Sequence, residues 1–213
     1  MLPPMTLLNL ARVAGSALGV GLVASACSST PAQPQAFVKL VMTSSTTFPG
    51  MCVGYPSDTT VMQVGEPGDA NVTPAVQPTR VTTGASSVLI SCSVHPTGND
   101  NFQVTLAISQ GNVSGMGSSS LTVSGVVNSS TGGSNVDGNV STTVGGGYQS
   151  KTCSVTFNTP GTGASPSGPP VDAGRIWAHL SCDGIQDPSI TTQSGGLSTC
   201  DAEVDFIFEN CGT

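Results

Sequence analysis

From residue 86 onward the chain alternates apolar and polar residues with a period of two, and this leaves it little to form but β-structure. Val88, Ile90, Cys92 and Val94 fall on one face, with Leu89, Ser91, Ser93 and His95 on the other. Successive side chains of a strand point to opposite faces, so the pattern describes a strand with one buried face. The segment 96–101 carries Pro, Gly, Asn and Asp and reads as a turn. Phe102, Val104, Leu106 and Ile108 then resume the alternation against Gln103, Thr105, Ala107 and Ser109. The two runs predict an antiparallel hairpin with one wet face.

The same parity recurs downstream. Leu121, Val123, Gly125 and Val127 form one face of a further strand, and 139–144 gives a weaker one. In 151–157, Cys153, Val155 and Phe157 align. In 175–182, Ile176, Ala178, Leu180 and Cys182 point inward. In 202–209, Ala202, Val204, Phe206 and Phe208 point inward, and Glu203, Asp205, Ile207 and Glu209 outward. Upstream, 37–42 predicts a first strand, with short strands at 51–53 and 60–64. The Gly/Ser stretches 128–138 and 145–147, the Pro/Gly-rich 158–173 and the segment 183–199 read as loops. Closely spaced strands with Gly/Ser/Pro turns predict an all-β antiparallel β-sandwich, with a closed β-barrel as the alternative.

Composition supports this class and excludes several functions. Only 8% of residues are charged and 4% aromatic, while Gly, Ser, Thr and Val dominate, which suits strands and turns better than helices. The formal net charge is −7. Such a chain has no basic groove for nucleic acid and no electrostatic attraction to anionic lipid head groups.

Seven cysteines punctuate the sequence: Cys27, Cys52, Cys92, Cys153, Cys182, Cys200 and Cys211. The last six form an even set, which predicts three disulfides and an oxidising compartment. Six cysteines allow 15 pairings. The expected set is Cys52–Cys92, Cys153–Cys211 and Cys182–Cys200, the last closing the segment 183–199. No Cys-x-x-Cys pair occurs, and His95 and His179 lie far apart, so neither a metal site nor a cofactor is expected. The acidic and amide-rich stretches 98–101 and 183–187 lack EF-hand spacing and are explained by turn chemistry.

The N-terminal segment sets the cellular context. An apolar run over 13–26 follows Arg12 and ends in Val23-Ala24-Ser25-Ala26-Cys27. It falls short of the about 20 apolar residues a spanning helix needs, and it matches a secretory h-region with a small-residue cleavage site. Small residues directly before a cysteine resemble the lipobox of bacterial lipoproteins, and the resemblance covers about residues 12 to 30. It implies that Cys27 becomes the acylated first residue of the mature protein. Ser28 after it fits outer-membrane sorting. Ordinary signal peptidase cleavage at the same bond would leave a free cysteine instead. Translation starting at Met5 gives a more ordinary leader than Met1. The expected organisation is a helical signal peptide at 1–26, a flexible Ser/Thr/Pro/Gln tether at 27–36 and one disulfide-bonded β domain at 37–213.

Candidate sites in the β domain are few. Arg175, Trp177 and His179 share the outer face of one strand, bringing the only tryptophan beside a histidine and an arginine. An open face of this kind would suit stacking on a sugar ring or anchoring a partner protein; a covering loop would remove it. The acidic outer face of 202–209 would complement it in charge if the two strands were neighbours. No Gly-x-Ser-x-Gly elbow or other catalytic motif occurs. The expected function is a non-enzymatic cell-envelope lipoprotein. Its membrane contact is the lipid on Cys27, and it presents loops or a sheet face to an envelope protein or glycan. The alternatives are a carbohydrate-binding or adhesion module using Trp177, and a small hydrolase.

Overall fold

The structure, a computed structural model, describes residues 31–45, 52, 55, 58–69, 71–112, 117–142, 146–157, 168–191 and 196–213. Cys27 and the expected signal helix lie outside these residues, as does all of the expected strand 51–53 except Cys52. The β unit covers Ala32–Thr213; the separate unit Met1–Pro31 lies almost wholly outside the described residues.

The β unit is all-β. Its strands are β1 (Gln35–Ser44), β2 (Thr59–Val64), β3 (Val81–Thr82), β4 (Val88–Gly98), β5 (Asn101–Gln110), β6 (Ser119–Asn128), β7 (Gly133–Thr142), β8 (Gly146–Thr156), β9 (Val171–Asp172), β10 (Arg175–Thr191) and β11 (Leu197–Glu209). Among the described residues the only helical element is the 3-10 turn Ala85–Ser87. All strand pairings are antiparallel, in the order β2-β1-β11-β10-β8-β7-β6-β5-β4, with β3 on β1 and β9 on β10. The hairpin expected at 96–101 is closed by Asn99 and Asp100, both at positive φ (52° and 60°), as a two-residue turn matched to strand twist requires.

The strands form one continuous, strongly curled sheet, not the two separate sheets of the expected sandwich. Twist explains the curl. Neighbouring strands rotate by roughly 20–25° relative to one another. Over this many strands the two ends of the sheet come to lie across each other. Accordingly β4, the last strand, runs across the ends of β1, β11 and β10. The Ile90 amide donates to Thr83 Oγ1 (3.1 Å), and the Val94 amide to the Gly212 carbonyl (2.9 Å). The Gly174 amide donates to the Val94 carbonyl (3.0 Å).

Inside the curl the faces that parity predicts on β5 (Leu106, Ile108), β6 (Leu121, Val123) and β11 (Val204, Phe206, Phe208) meet Val38, Leu40 and Met42 of β1 and Tyr148 of β8. All six cysteines from Cys52 onward are bridged, but not in the expected pairs. The bridges are Cys52–Cys200, Cys92–Cys211 and Cys153–Cys182. The curl decides the pairing. It sets Cys92 of β4 against the residue pair just past β11, while Cys153 and Cys182 extend the β8–β10 register. Gly138 gives the Cys153–Cys182 bridge room, since a Cβ there would lie 2.7 Å from Cys153 Sγ.

Two loop expectations are corrected. The segment 183–199 is largely strand, because β10 continues to Thr191 and β11 begins at Leu197. A bulge between Cys182 and Ile185, with Gly184 at φ 63°, breaks the parity and hides the continuation. Similarly, β7 begins at Gly133 inside the Gly/Ser stretch, and the short β9 lies inside 158–173.

Candidate functional site

The curled sheet has two outer regions that differ in chemistry. The first is the outer face of β1, β11 and β10, where cross-strand register builds rows. One row sets Phe37 beside Ile207 and Ile207 beside Trp177. These three form a small second core with Phe157 packed against it. Trp177 is only 8% exposed and meets Phe157 edge-on, with ring centroids 6.4 Å apart. Gly65 lies over Phe37, where an added Cβ would touch the ring at 3.4 Å. Pro170 accepts a hydrogen bond from the Trp177 amide (2.8 Å), and Pro169 accepts one from Arg175 Nη2 (2.6 Å). Parity places Arg175, Trp177 and His179 on one outer face as expected, but the indole is covered and offers no flat stacking surface.

The next row holds the charges. β10 and β11 are neighbours, so His179 meets the acidic face of β11. His179 Nδ1 lies 2.8 Å from Asp205 Oδ1 and Nε2 lies 2.6 Å from Glu203 Oε2. Hydrogen bonds to Asp205 and then Glu203 raise the His179 pKa to about 9 against an opposing burial effect. The ring is therefore an imidazolium at neutral pH, with both N–H groups donating. Ser181 Oγ donates to Glu203 Oε1 (2.9 Å), not to the imidazole. Glu209 is likewise held, by Arg80 (3.1 Å) and Gln35 (2.8 Å). The carboxylates of this region are thus paired, whereas the buried Trp177 Nε1 and Arg80 Nε have no hydrogen-bond partner among the described residues.

A third group of polar side chains is internal. Tyr148 Oη pairs with Ser198 Oγ at 3.0 Å and Tyr55 Oη with Thr142 Oγ1 at 2.7 Å. Burial raises the Tyr148 pKa, which keeps the phenol neutral. Buried Asp187 accepts from the Ser189 amide (2.7 Å) and hydroxyl (2.5 Å), and its other oxygen faces Gly146.

The second outer region spans β4 to β8. Here the register gives the row Leu89, Ser109, Ser120 and Ser141. Beside it runs Ser91, Ala107, Thr122, Asn139 and Gln149. A third row brings Ser93, Thr105, Ser124 and Asp137 together. Three concavities of about 310, 370 and 400 Å³ lie along these rows. They are contiguous: the first two share Leu89, Ser109 and Ser120, and the last two share Thr122. The largest is lined by Thr122, Ser124, Asp137, Asn139, Gln149 and Lys151, among others. Bulges between β7 and β8 around Val136 and Gly138 bend the sheet at that point.

The side chains of Thr122, Ser124, Asp137, Asn139, Gln149 and Lys151 form no hydrogen bond or ion pair with any described residue. No catalytic or ligand-binding motif marks these positions in the sequence; the signal is the run of small hydroxyl and amide residues at outward parity. Among the described residues no cluster of His, Cys, Asp and Glu is arranged to hold a metal, and no helix is long and apolar enough to cross a membrane. Three disulfides are a feature of proteins from oxidising, non-cytoplasmic compartments. Compared with family models, curated proteins and solved structures, the chain has no match.

Proposed function

We propose that the protein is a non-enzymatic cell-envelope lipoprotein, held at the membrane, in the outer membrane by the Ser28 signal, through an acylated Cys27, that presents the outer face of β4–β8 to a partner. The observation that carries the binding role is the contrast between the two outer regions. On β1, β11 and β10 the carboxylates pair with His179, Arg80 and Gln35, and the tryptophan is covered. On β4–β8 the side chains of Thr122, Ser124, Asp137, Asn139, Gln149 and Lys151 line the largest concavity and form no hydrogen bond or ion pair with any described residue. Small-molecule and chain ligands bind in concave surfaces with a few convergent polar groups.

The lipobox-like segment ending at Cys27 supports the anchor, and the disulfides fit an exported protein. One acyl chain holds only marginally, so stable attachment implies more than one. The hydrolase alternative finds little support. Ser181 donates to a carboxylate, and His179 has both nitrogens engaged by carboxylates, so this cluster lacks a nucleophile–base pair.

Two measurements test the proposal. Cys27→Ala should move the protein out of the membrane fraction or block its processing, with loss of the acyl mass. Unchanged fractionation and mass would contradict the anchor. In cross-linking to isolated envelopes, Asn139→Ala/Gln149→Ala should reduce adduct formation, whereas His179→Gln should not. Equal adducts from both variants would contradict the binding face.

A further inference from the structure

We infer that the trough across β4–β8 binds an extended, uncharged polyhydroxyl chain, that is, a neutral polysaccharide segment. This rests on the proposal that β4–β8 is the binding face, and it names the ligand class.

Shape gives the first argument. The concavities join across successive strands, and strands stand about 4.8 Å apart. From β4 to β8 the trough therefore extends about 19 Å. An occupant that fills it is long and narrow, crossing the strands at right angles.

Charge gives the second. Within the lining of the largest concavity, Lys151 is the one cation and Asp137 the one anion, so the lining is neutral in a chain of formal net charge −7. A polyanion would meet one lysine and an overall repulsion. An uncharged chain complements the neutral lining and meets neither penalty.

Hydrogen-bonding chemistry gives the third. Hydroxyl and amide side chains act as both donors and acceptors. Thr122, Asn139 and Gln149 sit side by side in one row, repeating that capacity on β6, β7 and β8. A ligand matching the row presents donors and acceptors together at a short repeat, as the hydroxyls of successive sugars do. A peptide adding to a sheet needs a free backbone edge. The trough offers side chains; β5 to β8 are paired on both sides, and the free side of β4 is met by Gly212 and Gly174. An acyl chain would need a broad exposed apolar lining; here Leu89, 65% exposed, is joined by Ala107 and by Ile90 and Ile108, both largely buried. The exposed leucine suits the C–H face of a sugar ring.

The test uses the full chain in detergent, titrated by calorimetry with linear neutral oligosaccharides of two to eight units from glucan, mannan and galactan series. Heparin fragments serve as the polyanionic comparison. Affinity should rise with length over the first four or five units, then level off, in at least one neutral series. Heparin should bind more weakly. Asn139→Ala/Gln149→Ala should weaken binding about tenfold, the effect of two lost hydrogen bonds, and Leu89→Ser should also weaken it. His179→Gln, with an unchanged trough, should bind as the parent does, and a native melting transition in each variant separates lost binding from lost fold. Absence of binding in every neutral series, or binding indifferent to the trough substitutions, overturns the inference. If sugars fail while the trough double variant still loses its envelope cross-links, the binding face stands and its ligand is a protein. If neither assay responds to the double variant, both proposals fall.

Discussion

His179 shows how one residue's neighbours set its chemistry. Its two carboxylate partners hold the pKa at about 9, against 6.5 for a free histidine. A raised value means that the folded state binds the proton more tightly. The resulting stability is complete below pH 6.5, declines above it and is gone once pH passes about 9. Such a shift corresponds to roughly 3 kcal/mol, and partial exposure of the pair reduces this to about 1–2 kcal/mol. The imidazole resonance should therefore titrate near pH 9. Melting temperature should fall between pH 7 and 10 in the parent and fall less in His179→Gln. A midpoint near 6.5 would remove the ion-pair account.

Glycine at 146 makes a sharper demand. Its φ is +83°, and a Cβ there would run into the Asp187 carboxylate. Gly146→Ala should destabilise the protein by roughly 1–3 kcal/mol in chemical denaturation. Gly147 has open space at the same position, so Gly147→Ala should change stability by less than about 0.5 kcal/mol. Equal effects of the two would show that Asp187 does not pack there.

At the scale of the element, strand parity was legible wherever the alternation ran unbroken. β4, β5, β10 up to Cys182 and β11 bury the faces the sequence indicates. Parity failed where a bulge changed the count, as at Cys182–Ile185 and Val136–Gly138. It also could not distinguish outward from exposed. Trp177 points outward and is still buried, because residues distant in sequence lie over that face. The disulfide partners were illegible for a related reason. Inward parity shows that Cys92 faces the core, but only the curl brings Cys211 to it. The Cys92–Cys211 bridge, the hydrogen bond from the Val94 amide to the Gly212 carbonyl and that from the Gly212 amide to the Cys92 carbonyl tie the chain end to β4. Cys211→Ser should free the thiol of Cys92 and no other. Amide exchange at Val94, Gly174 and Gly212 should quicken, while the β6–β7 ladder keeps its protection. Release of Cys153 or Cys52 thiols instead would contradict the pairing. Loss of a native bridge costs about 2–5 kcal/mol in small exported domains.

At the scale of the whole molecule, a chain with 4% aromatic residues builds its core mostly from aliphatic side chains, with Tyr148, Phe206 and Phe208 and three bridges, inside one curled sheet. The β class and the oxidised cysteines follow from pattern and count. The single sheet does not, because alternation defines faces without saying which distant strands pair, such as β1 with β11. The trough was equally hidden. Its residues are common Ser, Thr, Asn and Gln, and they become a site only when the register aligns them across five strands. The central claim is that this face, and not the tryptophan face, meets the partner. Amide and side-chain NMR mapping of the full chain with a neutral hexasaccharide tests it most directly. The account predicts shifts clustered at Ser91, Thr122, Asn139, Gln149 and Lys151, with Phe37, Trp177 and Ile207 unmoved. Shifts centred on Trp177 and His179 would contradict it.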